Sequence, residues 1–291
     1  MKPVTSLCLI LLLLWLPSCQ AWAQVPVYKE QITKEFALTS DAGHSTLVLY
    51  NIFGNVTVQG YSGNKVVVEV TKTITAKDAA TLEQGKKEAQ VGFEQRNDTV
   101  VVYNQGPHDS RPNRGRRNND WDNRRIEYEY TFDFTVKVPA QMKVHVSTVN
   151  NGKVVIQDVT GALQAYNVNG AIAIKNAKGA TTARTVNGNV DASYLSSPAG
   201  NSSYNTINGQ ITVVCPKDLS ADLHFKSFHG ELFTDFPKAE ILPAQVTQNK
   251  QQEGAGTKYK LTKDTAVRLG KGGTNLRFET LNGDVTVKQQ P

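Results

Sequence analysis

Beyond the first two dozen residues, apolar and polar positions alternate along most of the chain. Leu47-Leu49, Val56-Val58, Val66-Val68-Val70, Val100-Val102, Tyr128-Tyr130-Phe132-Phe134 and Val136-Val138 each place apolar side chains at every second position. That is the pattern of strands with one buried face, and the slots hold the β-branched and aromatic residues that suit a pleated surface. One segment breaks the alternation. Lys77–Val91, KDAATLEQGKKEAQV, spaces Ala80, Leu82, Ala89 and Val91 helically behind a Thr75/Asp78 capping pair, with Gly85 weakening its middle. The pattern therefore predicts an all-β protein with one short helix in its N-terminal half.

From residue 151 the alternation becomes a repeat. Asn151-Gly152, Asn169-Gly170, Asn187-Gly188, Asn208-Gly209 and His229-Gly230 follow one another at intervals of 18 to 21 residues. Two positions after each glycine stands Val154, Ile172, Val190, Ile211 or Leu232; four positions after it, Ile156, Ile174, Ala192, Val213 or Thr234. Gly161 and Gly179 mark a second turn in the first two units. Each unit thus holds two strands, and such a period means a stacked array. Two arrays fit: a β-solenoid of two-strand coils with asparagine and glycine at each corner, or an antiparallel meander with Asn-Gly hairpin turns. The solenoid places Val168 and Val186, Ile172 and Val190, and Ile174 and Ala192 as successive layers of one core. The form recurs in Asn51–Val58 and in Thr280–Val287, which contains Asn282-Gly283. These end units are expected to close the array, with the N-terminal strands and helix capping one end and the charged C-terminal tail the other.

The opening 23 residues, MKPVTSLCLILLLLWLPSCQAWA, read as a signal peptide. Lys2 precedes an apolar run too short to span a bilayer, and Ala21-Trp22-Ala23 suits cleavage between Ala23 and Gln24. Leu16-Pro17-Ser18-Cys19 has the outline of a lipid-attachment signal, which makes Cys19 the alternative anchor. The remaining chain divides into a β region with the helix (24–105), an Arg/Asn-rich loop (106–125) and the repeats (126–288), expected as one continuous domain. No further segment reaches membrane-spanning length. Cys215 is the one cysteine outside the signal, so no internal disulfide is expected.

The chain carries 32 Lys and Arg against 26 Asp and Glu. Much of the excess sits in His108–Arg125, where six arginines face three aspartates. Elsewhere charges interleave, which describes a solvated surface and not a nucleic-acid footprint. Within that loop Arg114, Arg116, Arg117, Trp121, Arg124 and Arg125 are the candidate ligand contacts. Guanidinium groups hold carboxylates or phosphates, and an indole stacks on sugars. The five histidines show no metal-ligand spacing, and Asp158, Asp191, Asp235 and Asp284 fall in different registers. No cofactor, metal or catalytic residue is expected.

The order of features now becomes specific. A leader, an N-x-x-G-x-V-x-V strand pair (Asn51–Val58), a helical insertion, Val136-Lys137-Val138-Pro139, T-x-N-G units and a closing T-x-N-G-D-V-x-V (Thr280–Val287) resemble the putative-adhesin family of bacterial envelope β-repeat domains. The resemblance covers roughly residues 34–288. It implies an exported, non-enzymatic binding or structural surface whose partner would be an envelope glycan or a surface protein. It supplies no catalytic residues. Alternatives are a β-helical polysaccharide-degrading enzyme and an envelope element without a small ligand.

Overall fold

The computed structural model describes residues 25–112, 125–237, 239–253 and 256–291. Among the described residues the chain forms two sheets and one helix. In spatial order the ten-stranded sheet runs Val27–Ala37, Lys65–Ala76, Tyr128–Pro139, Val56–Tyr61, Val154–Gln157, Ile172–Ala177, Val190–Tyr194, Ile211–Cys215, Val285–Gln289, Leu232–Thr234. The eleven-stranded sheet runs Glu240–Glu253, Gly256–Leu269, Ala221–Lys226, Thr274–Glu279, Ser202–Asn205, Thr181–Arg184, Leu163–Tyr166, Lys143–Ser147, Thr46–Tyr50, Thr99–Gly106, Gln90–Arg96. Their inward faces share one core that extends from Phe36 to Val287.

In the repeats each unit contributes one strand to each sheet, and every strand pairs in parallel with its equivalent in the neighbouring unit. Ile172 lies opposite Val154 on one side and Val190 on the other; Ala165 lies opposite Val146 and Ala183. The strands flanking Asn187-Gly188 belong to different sheets, so the antiparallel meander does not describe this region. The chain as a whole is not uniform, however. Both sheets are mixed, with antiparallel strands at one or both ends, such as Val27–Ala37 against Lys65–Ala76 and Ala221–Lys226 against Gly256–Leu269.

The turn glycines show why the period is so strict. A Cβ on Gly188 would lie 2.3 Å from the carbonyl oxygen of Gly170, one on Gly209 2.0 Å from that of Gly188, and one on Gly170 2.0 Å from that of Gly152. The corners stack too closely for any side chain. This differs from the left-handed corner that Asn-Gly suggests, because Gly152, Gly170, Gly188 and Gly209 do not have positive φ, whereas Gly283 does, at 143°. Two threonines of the T-x-N-G units are buried and tie their corner to the one before: Thr185 Oγ1 donates to Gly170 O at 2.9 Å, and Thr206 Oγ1 to Gly188 O at 2.9 Å, whereas the buried Thr280 Oγ1 has no hydrogen-bond partner.

Three further expectations change. Val285–Gln289 pairs with both Ile211–Cys215 and Leu232–Thr234, so the C-terminal unit is inserted inside the stack and does not cap its end. The slot before each Asn-Gly is not a core layer: Val168 is 37% exposed, Ile207 40% and Phe228 75%. The side chain there points out at the corner, while the preceding Asn167 or Thr206 takes the inward position. The helix is also shorter than predicted, Ala79–Glu88, with Asp78 alone as its cap, accepting from Thr81 N. Thr75 belongs to the preceding strand, Ala89 ends the helix in an extended conformation, and Val91 opens the next strand. Gly85 is its buried residue; a Cβ there would come within 2.9 Å of Tyr128 and Ile74. The glycine that weakens the helix locally is what lets it pack on the sheet.

Candidate functional site

The corner carrying the Asn-Gly turns is the most continuous built surface. Asn169 Nδ2 donates to Asn150 Oδ1 at 2.7 Å, Asn187 Nδ2 to Asn169 Oδ1 at 2.8 Å, Asn208 Nδ2 to Asn187 Oδ1 at 2.8 Å, and Asn282 Nδ2 to Asn208 Oδ1 at 2.9 Å. His229 Nδ1 meets Asn282 Oδ1 at 3.0 Å and ends the ladder. Each amide spends one N–H and one lone pair along the stack and keeps the rest for solvent or a ligand.

The expected ladder started at Asn151, but the structure places Asn150 there. Asn151 is the extra residue of a wider corner and takes φ 56°. Gly152, Gly170, Gly188, Gly209 and Gly283 form the close-packed column beneath. The position of Asn282 was missed, although a signal existed. Thr280-Leu281-Asn282-Gly283 keeps the asparagine that Ser227-Phe228-His229-Gly230 lacks, so it continues the ladder and the histidine unit follows it.

Beside the ladder runs an apolar ridge made by Val168, Val186, Ile207, Leu281 (44% exposed) and Phe228. On its other flank Tyr166, Arg184, Asn205, Glu279 and Lys226 stand in register at the ends of the second sheet. Between ridge and flank lies a groove of about 260 Å³ lined by Arg184, Asn205, Ile207, Lys226, Glu279 and Leu281. An apolar strip rimmed by polar groups is a surface suited to interaction.

The arginine loop can be followed only at its roots. Arg114, Arg116, Arg117, Trp121 and Arg124 lie outside the described residues, as do Cys19, Ala23 and Gln24 of the expected leader. At the first root Arg111 is fixed by its own fold. It pairs with Asp109 at 2.6 Å and with Glu94, and its guanidinium lies 3.7 Å over the Tyr103 ring. The Asp109 carboxylate, first among its neighbours, raises the Arg111 pKa. At the second root Arg125 is exposed on the wall of an open cleft with Val25, Lys77 and Glu127.

Of the other residues weighed for chemistry, none gathers into a catalytic set. Asp158 accepts from Asn176 Nδ2 at 2.8 Å, Asp235 from Gln289 N, and Asp284 from Glu231 N. Asp191 stands elsewhere, its carboxyl raised by burial. His145 packs edge-on between Tyr50 and Tyr166, and burial lowers its pKa. Burial pushes the Cys215 thiol up to about 12, so it is a packed side chain. Among the described residues no three His, Cys, Asp or Glu side chains group as a metal site. No helix there is long and apolar enough to cross a membrane.

No protein-family profile matches the chain, and no curated protein does. Solved structures do match. A putative cell adhesion protein from Clostridium sporogenes is 12% identical with a TM-score of 0.43, over 90% of this chain and 100% of that one. A putative adhesin from Bacteroides fragilis is 8% identical with a TM-score of 0.39, over 90% and 97%. A structure from Parabacteroides distasonis described as a putative lipid binding protein is 6% identical with a TM-score of 0.24, over 90% and 97%. The chain is similar to solved structures that carry the adhesin name.

Proposed function

We propose that this protein is an exported bacterial envelope protein, one continuous β domain after its leader, that binds without catalysis along the asparagine corner. The observation that carries this reading is the exposed ridge Val168-Val186-Ile207-Leu281-Phe228, bordered on one side by the amide ladder and on the other by Arg184, Asn205, Glu279 and Lys226. A straight ridge repeating at the strand spacing of about 4.8 Å presents the same groups layer after layer. It suits an elongated envelope glycan, whose hydroxyls both donate and accept as amides do. The arginine loop supplies a second, charge-dependent contact through Arg114, Arg116, Arg117, Arg124 and Arg125, with Trp121 stacking on sugar.

The test is retention of the mature protein on purified envelope polysaccharide and on a glycan array, with reducing-sugar release measured alongside. The double variant Ile207→Ser/Leu281→Ser is expected to lose about tenfold in affinity, a change of ~1.4 kcal/mol. Undiminished retention overturns the ridge as the contact, and sugar release by the wild type overturns the non-catalytic reading. Replacing the five loop arginines by serine is expected to remove the salt-sensitive part of retention.

A further inference from the structure

The groove beside the ridge carries charges that a neutral glycan leaves unused. Along its polar wall Arg184, Asn205, Glu279 and Lys226 stand opposite one another on four successive strands. Three strand spacings of about 4.8 Å set the two cations roughly 14 Å apart, one towards each end of the row. Both are exposed, and among the described residues no carboxylate pairs with either. Glu279 between them is already engaged, for Arg277 on the same strand reaches it at 3.7 Å. Asn205 donates one amide N–H to Ser203 Oγ at 2.8 Å and keeps the other, with its oxygen, for a ligand. The facing wall is apolar, with Ile207 40% and Leu281 44% exposed.

Two unpaired cations lining one groove suit an anionic ligand, and their arrangement narrows its class. A guanidinium holds a carboxylate through paired N–H donors, and an ammonium acts on it as a point charge. Each end of the row offers one cation, which matches the single charge of a uronate carboxylate. A polymer charged on every unit would set an anion against Glu279, and like charges so placed repel. Nucleic acid is of that kind. A glycan whose acidic units alternate with neutral ones avoids the clash. It brings carboxylates to Arg184 and Lys226 and hydroxyls to Asn205 and Glu279, while its ring faces lie on Ile207 and Leu281.

We propose that this groove selects an acidic polysaccharide in which carboxylate-bearing units alternate with neutral ones. Arg184 and Lys226 take the carboxylates, and Glu279 excludes charge from the stretch between them. The proposal rests on the ridge as the glycan contact and adds the class of glycan. Hyaluronan, which alternates glucuronate with a neutral aminosugar, is the probe, and its carboxyl-reduced form keeps the backbone without the charge. Polygalacturonate, charged on every unit, and dextran phosphate complete the set. Affinities are read by biolayer interferometry on the mature protein with the five loop arginines replaced by serine, which removes their share of the charge. Hyaluronan is expected to bind about tenfold tighter than its reduced form, each exposed ion pair contributing a few-fold. Arg184→Gln/Lys226→Gln should remove that preference and leave thermal unfolding unchanged, because both side chains are exposed. Glu279→Gln should raise the affinity for polygalacturonate severalfold and that for hyaluronan less. Ile207→Ser/Leu281→Ser should weaken hyaluronan and its reduced form alike. Equal binding of those two forms, or retention on purified envelope polysaccharide without hyaluronan binding, overturns the proposal and leaves the ridge standing. A preference that survives Arg184→Gln/Lys226→Gln, or tighter binding of polygalacturonate or dextran phosphate than of hyaluronan, also overturns it. Binding of none of these polymers, envelope polysaccharide included, overturns the ridge and the proposal together.

Discussion

The parallel stack and the antiparallel flank that precedes it solve one problem, burying two sheet faces, with different materials. In the flank, Lys65–Ala76 and Tyr128–Pro139 are twelve-residue strands, and the row Tyr128, Tyr130, Phe132, Phe134 fills the space between sheets with rings. In the stack, strands run three to six residues, and Val154, Ile156, Ile172, Ile174, Val190 and Ala192 suffice. The flank is held by long ladders and large side chains and tolerates local irregularity. In the stack the corners lie carbonyl against glycine, so every layer constrains the next. A defect is therefore expected to be local in the flank and to propagate in the stack.

The largest effect should come from the flank. Phe132→Ala removes a fully buried ring that lies 5.6 Å from Tyr130 and 6.3 Å from Phe134. It should cost about 4 kcal/mol in guanidinium unfolding. Gly188→Ala adds one methyl group 2.3 Å from a backbone oxygen and should cost roughly 3 kcal/mol, near the top of the range for overpacking. Gly200→Ala, whose Cβ would meet nothing closer than 3.4 Å, should change stability by less than about 0.5 kcal/mol. Equal costs at these two glycines would refute the close-stacking account.

Asn187→Ala removes two ladder bonds at an exposed site and should cost about 1 kcal/mol. Asn151→Gly should cost nothing, because Asn151 stands outside the ladder in a left-handed conformation that glycine adopts freely. A further small effect concerns pH. Burial lowers the native pKa of His145 below its ordinary 6.5, so the unfolded chain takes up that proton first. Stability is fully present above about pH 6.5 and falls as pH drops through the lowered native value. A His145→Phe variant should flatten that part of a pH-stability curve.

Much of the stack was legible in the residues. The strand slots at two and four positions after the first four glycines are buried as read, from Val154 and Ile156 to Ile211 and Val213, while Leu232 and Thr234 after Gly230 are only half-buried. The all-β class and the single helix were also legible, since both rest on local periodicity. Less legible was which side of a corner a residue takes. Asn167 and Thr185 continue the inward series Leu163-Ala165 and Thr181-Ala183, so Val168 and Val186, one position later, fall on the outward side of the pleat. The groove beside the ridge was invisible, for Arg184, Asn205, Lys226 and Glu279 come from separated stretches and share no motif.

By itself the sequence determined the repeat and its glycine column. A residue without a side chain every 18 to 21 positions is a local requirement that each unit must meet. Only the tertiary structure decided the order of the layers, placing Asn282 between Asn208 and His229. Parallel strands pair through open backbone edges, and any unit with a glycine corner and apolar slots fits any layer. The choice among layers is made by the connections around them: the Glu240–Glu253 and Gly256–Leu269 hairpin pairs back onto Ala221–Lys226 and returns the chain to the slot beside Ser202–Asn205.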